Sequence, residues 1–439
     1  MRISELSIQS ADNLIFAETR DQRLEHSSSS ERLLPWRLGI INAFVIIGLL
    51  RLTNLNYYLS QLIGLEVTVD NLGGDAFNFN NYAAVTFLLI LIPTKLIWDS
   101  GRWYSAWPIY GLMLVYIINA LTAPFVNLTW VLYQLIFLSV GLVLHLYVQH
   151  VESTFVNRFY RGGSFIFRIG ILLMIFCSFI IFSSHSWSYY LLEFNEVFVQ
   201  SLDDFGIVKQ KYGYLLGFML AFSLFMVRSR ATKVLVILLA VITGWGIRSF
   251  VIGCITAGLL YFVKRANRIL VLVLLAAAGF FFLWSDVILS LVYDTRFYSY
   301  LNALHIIQEY PMGVGLGGYP EYTEQYQRQL YASYFDVSAL LDYVPIAPES
   351  DVVHLLGSLG PWLGGIHIAI ILRIVWLGYR LQDAMDGFQK CILFYFTFMT
   401  FFGISEDSIF SINYWVFFGL SSGIISRLLY LKRQPSVDE

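Results

Sequence analysis

Residues 357–379 read GSLGPWLGGIHIAIILRIVWLGY, a run of 23 residues in which Arg373 is the only side chain with a formal charge. A helix rises about 1.5 Å per residue, so a run of this length reaches across the roughly 30 Å hydrocarbon core of a bilayer. A segment this long and this poor in charge is typical of a transmembrane helix. We therefore predict that it crosses a membrane.

Similar apolar runs recur along most of the chain. Of its 439 residues, 57% are hydrophobic and only 13% are charged, and the mean hydropathy is +0.65, so lipid is expected to be the main solvent. The predicted fold class is an all-α polytopic membrane protein with about twelve transmembrane helices. The predicted spans lie near residues 36–52, 80–97, 107–124, 128–148, 164–183, 213–227, 234–247, 249–263, 268–285, 357–379, 388–404 and 409–428.

The distribution of Lys and Arg predicts the orientation of these helices, because cytoplasmic segments of membrane proteins are enriched in both. With a cytoplasmic N-terminus, 20 of the 28 basic residues fall on inner segments and 18 of the 30 acidic residues on outer segments. This asymmetry predicts a multi-pass protein with a cytoplasmic N-terminus, and we expect it to lie in the bacterial inner (cytoplasmic) membrane. Its polar ends, residues 1–35 and 431–439, are then both cytoplasmic tails. The first tail lacks the apolar core of a signal peptide.

One outer segment, residues 286–355, is far longer than the others. It separates the N-terminal part of the bundle, residues 36–285, from the C-terminal helices, residues 356–430. We predict a large periplasmic loop between the ninth and tenth spans, and we expect it to be folded because it contains no low-complexity tract. Within it, residues 321–341 form a predicted amphipathic helix on the outer surface. The loop is also rich in tyrosine, with Tyr319, Tyr322, Tyr326, Tyr331, Tyr334 and Tyr343.

Two arginines lie on the predicted outer side, against the prevailing charge distribution. Arg248 follows the seventh span, and Arg296 follows the ninth. Each has a structural and a functional interpretation. Arg248 is either an interfacial anchor or a ligand of an anionic substrate. Arg296 is either a partner of Asp294 or Glu309 in a salt bridge or a second ligand of the same kind.

A polar cluster precedes the tenth span. Ser350 or Asp351 is expected to cap the helix, and Glu349 stands directly before them. His354 is either a satisfied polar residue at the helix start or a ligand. The other histidines share no common face, and the three cysteines all fall in apolar runs without metal-ligand spacing. We therefore expect no metal site.

The segment from Gly313 to Gly318 matches the letters GxGxxG of a dinucleotide-binding loop. That function needs a strand before the glycines and a helix after them, in a βαβ unit, and the predicted position outside the membrane argues against it. The favoured interpretation is a tight turn whose glycines let the backbone approach the bundle closely. The net charge of −2 likewise gives no reason to expect a nucleic-acid partner.

Taken in order, these motifs resemble those of the O-antigen polymerase and O-antigen ligase superfamily (Wzy- and WaaL-like proteins). The resemblance covers roughly residues 240–380. It comprises Arg248, Arg296, the turn Pro311-Met-Gly-Val-Gly-Leu-Gly317, and the segment Glu349-Ser-Asp-Val-Val-His-Leu-Leu-Gly-Ser-Leu-Gly360-Pro-Trp-Leu-Gly364. Ligases of the family carry a His-Asn pair about eleven residues before the first glycine of that helix. Glu349 and Ser350 stand there in this chain, which is more similar to the polymerases.

The resemblance implies a metal-independent, lipid-dependent glycosyltransferase of the GT-C type on the periplasmic face. Donor and acceptor would be glycans linked to undecaprenyl pyrophosphate, with a chain-length regulator and a flippase as further partners and no cofactor. Arg248 and Arg296 would bind the pyrophosphate, and Glu349 would serve as the base. Asp351, His354, Tyr319 and Tyr322 would bind substrate, the tyrosines by stacking on sugars.

Two other functions remain open at this point. An O-antigen ligase would transfer the same glycan to lipid A-core. A lipid-linked glycan flippase or other transporter would suit twelve spans equally well, but internal repeats and ionisable groups at the midplane are then expected, and the sequence contains no evident repeat.

Overall fold

The computed structural model describes residues 103–150, 152–184, 209–244, 247–262, 295–323, 350–404 and 409–433, and these residues are helical apart from the connections between helices. Short 3₁₀ turns occupy Trp103–Ala106 and Gln382–Ala384. The helices are α1 (Trp107–Thr122), α2 (Leu128–His150), α3 (Glu152–Ser184), α4 (Lys209–Met226), α5 (Arg230–Gly244), α6 (Arg248–Phe262), α7 (Thr295–Glu309), α8 (Asp351–Leu381), α9 (Gly387–Phe402) and α10 (Ile412–Arg433).

The lengths and compositions of these helices are those of a helical membrane protein. Among the described residues, five segments are long and apolar enough to cross a membrane: Tyr104–Thr122, Leu128–Gln149, Tyr160–Phe179, Asp351–Ala384 and Ile412–Lys432. Each predicted span that falls within the described residues coincides with a helix. The predicted spans 36–52, 80–97 and 268–285 lie outside the described residues, so the total of twelve stays a prediction.

Two helices begin earlier than hydropathy predicts. The tenth predicted span began at residue 357, but α8 begins at Asp351, where the Ser350 side chain accepts a hydrogen bond from the backbone N–H of Val352. The capping role predicted for this cluster is therefore confirmed for Ser350. Helix α3 begins at Glu152, twelve residues before the fifth predicted span. In both cases the first turns are polar, and a hydropathy pattern detects only the apolar part of a helix.

Neighbouring connections gather at two ends of the bundle. We call residues 313–318 the glycine turn. The connection between α1 and α2 is hydrogen-bonded to this turn: the Phe125 N–H donates to the Val314 carbonyl over 2.9 Å. We call this the glycine-turn end. At the opposite end, Gly387 at the start of α9 lies close to the Phe225 carbonyl near the end of α4.

Glycine lets α2 and α10 pack backbone to backbone. A Cβ atom at Gly419 would collide with the Gly141 carbonyl, and one at Gly423 would come within 2.6 Å of the His145 carbonyl oxygen. Such small-residue contacts drive helix association in membranes, where burying apolar side chains supplies little net energy. Beside this contact between α2 and α10 the core is aromatic. Trp415 on α10 is wholly buried and packs edge-on against Tyr116 of α1, with the ring centres 6.4 Å apart.

Candidate functional site

The first feature of the site is a break in α8. Gly360 has φ +69° and ψ 173°, which is not helical, and Pro361 follows it. Proline has no N–H, so the Gly357 carbonyl loses its usual partner four residues later. The turn at Gly360 also separates the Ser358 carbonyl from its helical partner. Two backbone acceptors are thereby left for other donors.

The glycine turn supplies those donors. The Val314 N–H donates to the Gly357 carbonyl, and the Gly315 N–H donates to the Ser358 carbonyl, each over 2.9 Å. Because buried backbone groups must be satisfied within the protein, the break in α8 and the glycine turn stabilise one another.

The glycines make this close approach possible. Gly313, Gly315 and Gly317 have φ values of 78°, 110° and 72°, a region that side chains with a Cβ rarely adopt. A Cβ at Gly313 would collide with the Ser358 carbonyl, and one at Gly317 would lie 2.8 Å from the Trp130 side chain. The tight-turn interpretation is confirmed. The segment before the turn is helix α7, so the strand that a dinucleotide-binding loop requires is not present there.

Asn119 of α1 holds the turn and the break together. Its side chain is wholly buried, and its amide nitrogen donates to the Met312 carbonyl over 3.1 Å and to the Ser358 carbonyl over 3.0 Å. Its amide oxygen accepts from the Leu316 N–H over 3.0 Å. Sequence analysis did not identify this residue. The available signal was a lone amide within the apolar run 107–124, where a polar group must find partners inside the protein.

The start of α8 lies beside the first turns of α7. The Tyr300 hydroxyl is 3.3 Å from the Ser350 hydroxyl and donates to the Ile404 carbonyl over 3.4 Å. Asp351 is nearly buried: its N–H donates to the Gly403 carbonyl over 2.8 Å, and its Oδ1 accepts from the Ile409 N–H over 2.7 Å. The connection after α9 therefore joins α7 to α8.

The start of α6 lies at the same end. A Cβ at Gly213 would be 2.6 Å from the Phe402 ring and 3.6 Å from the Ile247 side chain. Helix α6 begins one residue later at Arg248, and α9 ends at Phe402. The backbone of Arg248 is thus placed near the same connection that holds α7 and α8.

The predicted catalytic residues are placed by their backbones alone. Arg248 is the first residue of α6, and Arg296 is the second residue of α7, one turn before Tyr300. Their guanidinium groups lie outside the described part of the structure, as does Glu349, which immediately precedes Ser350. The assigned roles of all three stay predictions.

One structural interpretation of Arg296 is wrong. Thirteen helical residues separate it from Glu309, which places their Cα atoms about 20 Å apart, beyond the reach of a salt bridge. The Glu309 carboxylate instead lies 3.3 Å from His305 Nε2 and accepts a hydrogen bond from the Tyr322 hydroxyl over 3.1 Å. The other predicted partner, Asp294, lies outside the described residues.

Like Asp351, the other predicted substrate-binding residues are packed into the protein. The His354 ring, 3% exposed, lies one turn below Asp351, with its centroid 4.1 Å from that of Phe410. Tyr319 and Tyr322 are also buried, and the Tyr319 hydroxyl donates to the Ser299 carbonyl over 3.4 Å. In this conformation the two tyrosines contribute to a small core under the glycine turn. A stacking role for them stays a prediction.

Within the described residues, no group of three or more His, Cys, Asp or Glu side chains is placed to hold a metal ion. The expected metal independence stays a prediction. No protein-family model matches the chain, and no curated protein matches it at a significant level.

Proposed function

We propose that this protein is a lipid-dependent glycosyltransferase that polymerises oligosaccharide repeat units linked to undecaprenyl pyrophosphate. The proposal combines the sequence resemblance with one structural observation. The starts of α6, α7 and α8 meet at the glycine-turn end, around the connection that follows α9. These starts carry Arg248, Arg296 and the Ser350–Asp351 cap.

This arrangement suits a pyrophosphate. The N-terminus of a helix carries a partial positive charge and unpaired N–H groups, both of which attract phosphate oxygens. Arginine binds such oxygens through two parallel hydrogen bonds and stays charged at any physiological pH. Two arginines at two helix starts therefore offer one site for an anionic leaving group.

In the proposed reaction, a hydroxyl oxygen of the acceptor glycan bonds to the anomeric carbon of the donor glycan. The bond from that carbon to the lipid pyrophosphate breaks, and its electron pair leaves with the pyrophosphate. The hydroxyl proton passes to the Glu349 carboxylate. Because the arginines neutralise the charge that develops on the leaving group, the step needs no metal.

In this reaction the glycine turn would hold the segment between α7 and α8 in place. It ties the segment between α7 and α8 to α1 through Asn119 and to α8 through the Gly357 and Ser358 carbonyls. Arg296 lies on α7 before the glycine turn, and the Ser350–Asp351 cap begins α8. The turn therefore holds the segment after α7 against α8, and catalysis by positioned groups requires such a fixed arrangement.

The test is an assay with purified protein in liposomes, lipid-linked repeat units and excess EDTA, read as a ladder of chain lengths. Arg248→Ala and Arg296→Ala should abolish the ladder, whereas Lys at either position should retain part of the activity because the planar fork is lost. Glu349→Gln should slow polymerisation about 10²–10⁴-fold, the usual contribution of a general base.

The matched control is Arg230→Ala, which removes an exposed cation from the opposite end of the bundle and should leave the ladder intact. Each variant's unfolding temperature is measured to exclude loss of fold. A full-length ladder from both alanine variants would contradict the proposal. Transfer to lipid A-core without a ladder would identify a ligase instead.

A further inference from the structure

The C-terminal half of α8 carries an exposed aromatic and cationic stripe at the opposite end of the bundle. Arg373, Trp376 and Arg380 follow each other at spacings of three and four residues, so they lie on one side of the helix. The Arg380 guanidinium lies 4.7 Å from the centre of the Trp376 ring. The Arg373 guanidinium lies 5.2 Å from the ring of Trp107, which begins the neighbouring helix α1. The stripe therefore crosses from one helix to the other.

Its two tryptophans lie near the ends of α1 and α8 at the opposite end of the bundle. Trp107 is 46% exposed and Trp376 is 51% exposed, although both belong to membrane-spanning segments. Trp362, near the glycine-turn end of α8, is 71% exposed. Exposed tryptophans near the ends of apolar helices are typical of the interfacial belts of a membrane protein.

The positive charges of Arg373 and Arg380 are available to bind a ligand. Within the described residues, neither guanidinium is in an ion pair. The nearest acidic residues in sequence belong to the connection before α9. Asp386 there caps α9 by accepting from the Gln389 N–H over 2.8 Å, and Asp383 is exposed. A guanidinium that stacks by its face on an indole keeps its N–H groups, which lie in the plane, available for acceptors.

We propose that the exposed surface formed by Trp107 of α1 and by Arg373, Trp376 and Arg380 of α8 is a binding site for an anionic phospholipid. Arg373 and Arg380 bind its phosphate oxygens, and Trp107 and Trp376 pack against its glycerol and upper acyl chains. A zwitterionic lipid brings its own cation to the same place and gains less. The site is therefore selective for headgroup charge, and it is separate from the proposed reaction at the glycine-turn end.

The test uses the whole protein, released from nanodiscs that contain equal amounts of phosphatidylglycerol and phosphatidylcholine, with retained lipid counted by native mass spectrometry. The wild type should retain phosphatidylglycerol in preference to phosphatidylcholine. Each cation near an anionic surface contributes about fivefold to binding. Arg373→Gln with Arg380→Gln should therefore weaken retention by about twenty- to thirtyfold.

The matched control is Arg228→Gln with Arg230→Gln. It removes two exposed cations from the same end of the bundle, in the connection before α5 and at its start, and should leave the preference unchanged. Trp376→Leu keeps the apolar surface but removes the ring under Arg380, and it should cause an intermediate loss. Equal loss in both double variants would mean general charge attraction and would overturn the proposal, as would a wild type without preference.

Discussion

Two histidines are wholly buried in membrane-spanning helices and differ in their hydrogen bonds. His145 Nδ1 is 2.7 Å from the Ser422 hydroxyl, and its Nε2 lies 2.9 Å from Gln149 Nε2 and 3.1 Å from the Ser105 hydroxyl. His367 makes no hydrogen bond within the described structure, although its ring lies 5.5 Å from that of Tyr116. The same residue type is thus satisfied at one position and unsatisfied at the other.

This contrast predicts opposite effects of the same substitution. His145→Leu removes the buried hydrogen bonds to Ser422, Gln149 and Ser105 and should lower the free energy of unfolding by about 1–3 kcal/mol. His367→Leu removes unsatisfied polar atoms from an apolar site, so it should leave that free energy unchanged or raise it. Reversible unfolding in detergent measures both values. A loss for His367→Leu as large as that for His145→Leu would mean that His367 has a partner in the folded protein.

At the residue scale, sequence reasoning succeeded where the cause is local. The cap of α8 was predictable because Ser350 bonds to a backbone N–H two residues away. Asn119 was not, because its three partners stand between 193 and 239 residues further along the chain. Nothing in the neighbouring sequence reports so distant a hydrogen bond. A lone asparagine in an apolar run indicates that it has partners inside the protein, but only the fold shows which groups they are.

The glycine turn and the break in α8 form one structural unit. A glycine within the turn and a glycine in the helical part of α8 should respond differently to substitution by alanine. Gly313→Ala places a Cβ against the Ser358 carbonyl at a φ of 78°, so we expect a loss of about 2 kcal/mol or more in the free energy of unfolding. Gly365→Ala lies in the helical part of α8, where nothing stands within 4 Å of the new Cβ.

That matched alanine should stabilise the protein by about 0.5–1 kcal/mol, because alanine favours helix more than glycine does. Both variants add one methyl group, at the docked turn in one case and in open space on the helix in the other. Denaturant titration in detergent compares them directly. Equal effects would show that the turn does not dock on α8 in solution.

At the scale of elements, the prediction from sequence located the apolar helices, but it did not locate α7, which lies in the predicted loop, or the break in α8. Apolar runs located the helices because burial in lipid requires them. The letters of the glycine turn also indicated a close approach to the bundle. The break at Gly360 was not predicted, since Pro361 alone does not determine whether a membrane helix kinks or continues. Here the glycine turn stabilises the break, because its N–H groups bond to the Gly357 and Ser358 carbonyls that the break leaves free.

For the whole molecule, the pairing of helices follows distances in space that the chain order does not reveal. Helices α2 and α10 pack through glycines although 278 residues separate Gly141 from Gly419. The distribution of charge, in contrast, was readable in the sequence. Nine described cations lie within two turns of a helix end at the opposite end of the bundle: Arg158, Arg228, Arg230, Lys233, Arg380, Lys390, Arg427, Lys432 and Arg433.

This charge distribution predicts the orientation of the molecule. Positive charge is retained on the cytoplasmic side during insertion, so the opposite end should face the cytoplasm and the glycine-turn end the periplasm. Single cysteines in a background without Cys177, Cys254 and Cys391 allow a test with a membrane-impermeant maleimide. Intact cells should label Tyr334→Cys and leave Ala231→Cys unmodified, whereas inverted vesicles should give the reverse.

Both termini belong to the same prediction, since the predicted number of spans is even. Glu5→Cys and Val437→Cys should therefore behave as Ala231→Cys does. Ala231 is a suitable reporter because it is exposed next to Arg230 at the start of α5. Labelling of Tyr334→Cys only in inverted vesicles would place the loop in the cytoplasm. The proposed polymerase would then be ruled out, because its lipid-linked substrates are presented on the periplasmic face, whereas the inferred lipid site would remain and would face the other leaflet.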